Sequence, residues 1–348
     1  MAPTPSRAPA PVTRRALLRA AGLLGLAATA GCSVSDPRIQ GGSDRTASPG
    51  RSASPNEPLA SPTPSAPPTM PGAAAGAQAE EAVATLAAAL LGSKADLDPG
   101  RRRLIAAVRD AHRLHAAVLR SPDPTARSAA GATPGPTPAK PAKVSLDALI
   151  AAEKSLAARH AKLVPAARGL TALLFGSLSV AASTYASALG STTNVPIAAT
   201  SANPAQPEVL DDVAGMQAVL AQLHAVVYGY QLAIGRLAVG SAARTRAVNG
   251  LTGRRALRDQ LTTILLSRKA SVPAAEPAYV PSVKVVNASS AGRLIATMET
   301  AFVPFTGQWL AAAAQPADQA LAWASMRQAA SLARTWGGPV SAWPGWPS

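Results

Sequence analysis

Residues able to do chemistry are scarce in this chain: four histidines, one cysteine and 18 acidic residues among 348. His112 and His115 stand three apart, so a helix would bring them to one face, where two imidazoles could hold a metal. Neither a carboxylate nor a cysteine at ligand spacing completes that pair locally, and the expectation is two half-exposed polar residues on an alanine-rich helix. Glu153 and His160, seven apart, fall roughly on one face as well, with a surface salt link as the expected role. Nothing in the spacing of the serines and histidines supports a Ser-His-Asp or Cys-His grouping. The glycines sit in linkers and at helix ends, which argues against a phosphate-cradling loop. No catalytic residue is assigned, and the expectation is a protein that is not an enzyme.

The single cysteine points elsewhere. Arg14, Arg15 and Arg19 precede an apolar run from Ala20 to Ala30, too short to span a bilayer as a helix. A basic start, an apolar middle and small residues before Cys32 read as an export signal over residues 1–31. The stretch from Thr13 to Arg19 resembles the twin-arginine motif, with Arg14 and Arg15 as its pair, and Thr29-Ala30-Gly31-Cys32 resembles a lipobox. A lipobox implies cleavage before Cys32 and diacylglycerol on its sulfur. Each buried methylene contributes about 0.8 kcal/mol, so two or three acyl chains would hold the protein at the extracytoplasmic face of the cell membrane. No other thiol remains for a disulfide, and stability must come from packing. Four of the 33 basic residues and none of the 18 acidic ones precede Cys32, leaving +11 of the total +15 on the chain after it. Such a surface suits envelope proteins or anionic wall polymers as partners. The arginines are dispersed and no basic groove is interleaved with aromatics, so nucleic acid is not expected.

The elements follow from composition and periodicity. Residues 32–76 are rich in Ser, Pro, Thr, Gly and Ala, cannot bury enough apolar surface to offset ordering, and read as a disordered tether. Residues 77–190 read as a helical region. Val83, Leu86 and Leu90 mark a first helix and Leu104, Val108, Ala111, His115 and Val118 a second. A Pro-rich loop spans 121–143, and Ser145 caps a third helix carrying Leu149, Ile150 and Leu156. A fourth, around LTALLFGSLSVAAS, is apolar on most faces but broken by Gly and Ser, as suits a core helix. Residues 191–209 form a linker. From 210 to 348 four amphipathic helices are expected, near 211–239, 242–267, 288–314 (with Pro304 inside it) and 316–336. Short loops between amphipathic helices define an antiparallel bundle. Trp336, Trp343 and Trp346 are expected to fold back as a clasp over the bundle end.

QLHAVVYGYQ at 222–231, RRALRDQL at 254–261, the PAYVP turn, the helix from Ala291 to Phe302 and the terminal WPGWP together resemble the ferritin-like domain of unknown function of actinobacterial lipoproteins. The resemblance covers about residues 211–347 and implies a ferritin-like antiparallel four-helix bundle in an all-α protein. The family pattern carries Glu-His in the first helix and His-Arg-x-Arg-Arg-Asp in the second. Here Leu223 stands at the glutamate position and Arg254 at the histidine position, with His224, Tyr228, Arg255, Arg258, Asp259 and Glu299 retained. A di-iron bundle needs inward carboxylates and Glu-x-x-His pairs, and this chain has no Glu-x-x-His. The expectation is therefore no metal and no cofactor besides the lipid, with Tyr228, Arg255, Arg258, Asp259 and Glu299 as a structural polar network. The alternative is iron or manganese on His224, Asp259 and Glu299, in a redox protein. The functional expectation is a non-enzymatic binding or scaffolding module of the cell envelope.

Overall fold

The computed structural model describes residues 70–126, 141, 143–191, 194–199, 206–208 and 210–347. The expected signal, with Arg14 and Arg15, the lipidation site Cys32 and most of the tether lie outside the described residues. Among the described residues there are eight α-helices: α1 Ala73–Gly92, α2 Pro99–Leu119, α3 Leu146–Ala161, α4 Gly169–Leu189, α5 Asp212–Ile234, α6 Ala242–Ser267, α7 Ala288–Ala312 and α8 Pro316–Thr335. Among the described residues no strand forms beyond one bridge between Ile197 and Val340. The chain is all-α, as the alanine-rich periodicity predicts. Helix α1 already begins at Ala73, inside the stretch expected to be tether.

The caps explain most helix starts. Asp98, Ser145, Asp211 and Ser241 each accept a hydrogen bond from the backbone N–H three residues on. Asn287 and Ser290 form a reciprocal capping box at α7. Gly337, at φ 87°, ends α8, and the Gly338 N–H reaches back to the Ala333 carbonyl at 2.7 Å.

The helices form two bundles. In the first, α1 packs on α2 and α3, and α4 on α3 and α2; in the second, α5 packs on α6 and α7, and α7 on α8. Each bundle is a pair of short-loop hairpins joined by a longer crossover, residues 120–145 and 268–287. Helix α4 also packs on α7 and α8 and so joins the two. That position accounts for its composition: it is the one described helix long and apolar enough to cross a membrane, yet 83% of its apolar window is buried inside the fold. The sequence left open whether the N-terminal helices stand apart; they form a bundle of their own that packs on the second. After α8 the chain crosses back to the first bundle. Val340 exchanges hydrogen bonds with Pro196 and Ala198, and Trp343 and Trp346 are buried.

Candidate metal centre

A charged cluster fills the middle of the first bundle. Glu80 of α1, His112 and His115 of α2, and Glu153 and His160 of α3 are all without solvent exposure. On each helix they stand at core positions. Glu80 continues the Ala73, Ala77, Val83, Ala84, Ala87 stripe, and Glu153 and His160 alternate with Leu149 and Leu156. Glu80 lies at the centre. Its Oε2 is 2.5 Å from His112 Nδ1 and 3.2 Å from His115 Nδ1, and its Oε1 is 2.8 Å from His160 Nε2. On their far sides, His112 Nε2 is 2.8 Å from Glu153 Oε1 and His115 Nε2 is 2.9 Å from the Ala342 carbonyl.

Those outer partners fix the tautomers. A carbonyl only accepts, so His115 carries a proton on Nε2, and an ionised Glu153 sets the same tautomer on His112. Their Nδ1 atoms are then lone pairs in the neutral rings, and both face the Glu80 Oε2 lone pairs. Three acceptor atoms within 4.8 Å of one another converge on one point inside a dry core. Like acceptors repel, and a cation among them relieves the repulsion. A proton on an imidazole or a metal ion would serve.

The electrostatics agree. Burial alone would push the Glu80 carboxyl up, but the His115 and His112 imidazoles override it and hold it well below the usual carboxylate range. Burial likewise opposes a charge on His112, yet Glu153 and Glu80 outweigh it and push this group up to about 10. Glu153 is raised by burial, with His112 opposing. Tyr185 of α4, edge-on to His112 at 5.6 Å, is raised well above an ordinary phenol by burial and by Glu153 and Glu80, so it is a neutral hydroxyl. Its O–H donates to the Ser341 carbonyl at 3.2 Å. Trp343 lies 4.7 Å from the His115 ring and Phe175 stacks on His160. Two buried polar atoms of the cluster, Glu153 Oε2 and His160 Nδ1, have no partner among the described residues.

The residues expected to meet in the second bundle do not. His224 sits with Nε2 3.1 Å from the Pro273 carbonyl, Asp259 pairs with Arg258 at the surface, and Tyr228 leans on Tyr279. His224, Asp259 and Glu299 therefore form no common site, and Arg255 is exposed. The polar network exists with other members. Arg254 grips Glu299 through Nε at 3.0 Å and Nη2 at 2.5 Å, Tyr230 donates to Glu299 Oε1 at 2.7 Å, and Gln328 accepts from Arg254 at 3.2 Å. Helical register decides this: Arg254 belongs to the inward row with Ala247, Gly250, Leu251, Leu257 and Leu261. Likewise His112 and His115 are buried rather than half-exposed, and Glu153 and His160 each bond to a residue on another helix rather than forming a surface link.

The two bundles repeat one arrangement. Leu149, Glu153, Leu156 and His160 of α3 have the spacing of Ile295, Glu299, Phe302 and Thr306 of α7, all buried. In each bundle the glutamate is bonded by a cationic or cation-forming residue of the second helix, His112 in one and Arg254 in the other.

The fold and site thus define an all-α protein of two joined four-helix bundles, one with a buried Glu/His cluster. Residues 215–348 match the family described as a domain of unknown function (DUF4439). Among solved structures, the crystal structure of a conserved hypothetical protein from Mycobacterium tuberculosis is similar at 26% identity and a TM-score of 0.34, covering 36% of this chain and 93% of that one. No curated protein matches the chain. The family match starts beyond the Glu/His cluster, so all four helices of that cluster's bundle lie outside it.

Proposed function

We propose that the first bundle binds one divalent transition-metal ion on Glu80 Oε2, His112 Nδ1 and His115 Nδ1. The observation that carries this is the commitment of both Nε2–H groups, one to the Glu153 carboxylate and one to the Ala342 carbonyl. Imidazole ligands characteristically donate their other ring N–H to such a partner, which fixes the tautomer and aims the free lone pair at the metal. Two imidazoles and a carboxylate suit zinc or ferrous iron, with manganese as a weaker fit. Charge supports a single ion: a dication neutralises Glu80 and Glu153 with all three imidazoles neutral. A di-iron centre fits poorly, because only two carboxylates are present and two dications would leave excess positive charge in a dry core.

The hairpin–crossover–hairpin connectivity supports a ferritin-like reading of both bundles. With every ligand buried, the centre suits retention of an ion rather than turnover of a substrate. The lipobox at Cys32 and the Arg14-Arg15 pair support placing this metal-holding module, non-enzymatic in this reading, on the outer face of the membrane. The test is elemental analysis of the full chain loaded with Zn²⁺, Fe²⁺ or Mn²⁺ in turn and desalted. Close to one ion per chain is expected, falling to background in Glu80→Gln, which keeps the side-chain shape. No retained ion in the wild type overturns the reading.

A further inference from the structure

The centre is closed on every side, so an ion reaches it only if something moves. The elements around it are four mutually packed helices and one segment that is not helical. That segment is Val340 to Trp346, carried to the first bundle from the end of α8. Its Ala342 carbonyl accepts from His115, and its Trp343 ring lies edge-on to the same imidazole. Trp343 also lines a cleft of about 590 Å³, together with Pro344, Trp346 and residues of α7 and α8. It therefore stands between a ligand and a space open to solvent.

Within the segment, Val340 is fixed by the bridge to Pro196 and Ala198, and Ser341 by the Tyr185 hydroxyl. Beyond them it lies flat on α7, where a Cβ at Gly307 would meet the Gly345 carbonyl oxygen at 2.0 Å. Gly345 itself turns at φ 90°, a conformation that glycine adopts without strain. Opening a non-helical segment leaves every helix intact, whereas separating two helices takes the bundle itself apart.

We infer that Val340–Trp346 is a strap that completes the metal centre from the other bundle and lifts from His115 to let the ion pass. This rests on the metal reading above. Seated, it fixes the His115 tautomer through the Ala342 carbonyl and seals the centre with Trp343, a positioning residue. Lifted, it frees the His115 Nε2–H and opens a path through the cleft. Ion binding and strap seating then favour each other, because the ion holds His115 in the ring orientation that the Ala342 carbonyl requires.

The full chain is loaded with Zn²⁺, and loss of the ion to excess chelator is timed for the wild type, Trp343→Phe, Trp343→Ala and Gly307→Ala. Gly307→Ala displaces the strap from outside without touching a ligand. Release is expected to be about tenfold faster or more in Trp343→Ala and Gly307→Ala, the scale of losing an outer-shell support, and near wild type in Trp343→Phe. In the unmodified chain, hydrogen exchange at residues 342–346 is expected to slow on zinc loading, more than at the equivalent depth of α8. Equal release rates in all four chains, with strap exchange indifferent to zinc, would overturn the strap while leaving the metal centre standing. A wild type that retains no zinc at all overturns both.

Discussion

At the residue scale, the outer partners of the histidines are as informative as the ligands. Glu153 touches no ion in the proposed centre, yet it orients His112, and Glu153→Gln is expected to weaken zinc affinity by about 10- to 100-fold with little change in fold. Equilibrium competition with a chromophoric chelator measures it, and an unchanged affinity would remove Glu153 from the centre. The metal-free protein offers a complementary test. Without an ion the cation among the three acceptors is a proton, and the group on His112 is raised from its ordinary value to about 10 by Glu153 and Glu80 against the opposing effect of burial. A raised base contributes stability that is fully present below the unfolded value of about 6.5 and is lost as pH climbs through the folded one. The melting temperature of the metal-free chain is therefore expected to fall between about pH 7 and 10, where the zinc-loaded chain, its proton replaced, stays flatter. Parallel curves would mean that the proton and the ion do not share the site.

At the scale of elements, the second bundle shows what the same frame does with a permanent cation. Arg254 and Glu299 are both fully buried and joined by two hydrogen bonds, with Tyr230 on the shared oxygen. Arg254→Met leaves the Glu299 charge unpaired and is expected to cost about 3–5 kcal/mol, whereas Arg254→Met with Glu299→Met recovers most of it. Chemical denaturation of both variants checks this, and a double variant no better than the single one would show that the pair itself stabilises the fold. The helices were legible in the sequence because capping and apolar periodicity are local: Ser145 caps α3 as read, and the helix expected near 211–239 forms but stops at Ile234. The centre was not. Glu80 and Glu81 are adjacent and alike, and only packing turns one inward and sends the other to Arg120 at the surface. Nor does sequence show that His112 finds carboxylates 32 residues before it and 41 after it. The available signal was an acidic residue inside the alanine stripe of α1, at a position where amphipathicity demands an apolar one. Of the second-bundle network only Glu299 was placed correctly, for a similar reason: the adjacent arginines at 254 and 255 differ only in the direction that the α6 core imposes.

For the molecule as a whole, the decisive feature is that neither bundle is closed without the other. Helix α4 belongs to the first and packs on α7 and α8 of the second, and the chain after α8 returns to cover the Glu/His cluster. The aromatic end of the chain was expected to clasp its own bundle; Trp343 lies instead on His115 of the other one. A shared wall and an exchanged strap couple the two halves, so they should unfold together, and an ion bound only by the first should protect both. With zinc free at 100 times its dissociation constant, the native state gains about 2.7 kcal/mol. The expected result is one calorimetric transition that moves upward as a unit, with tryptophan fluorescence and far-ultraviolet circular dichroism shifting together. Trp309, buried deep in the second bundle and bonded to Asp212 at 3.2 Å, lies on helices that contribute no ligand. If zinc raised the melting of the first bundle alone, leaving a second transition in place, α4 would be a surface of contact and not a common wall.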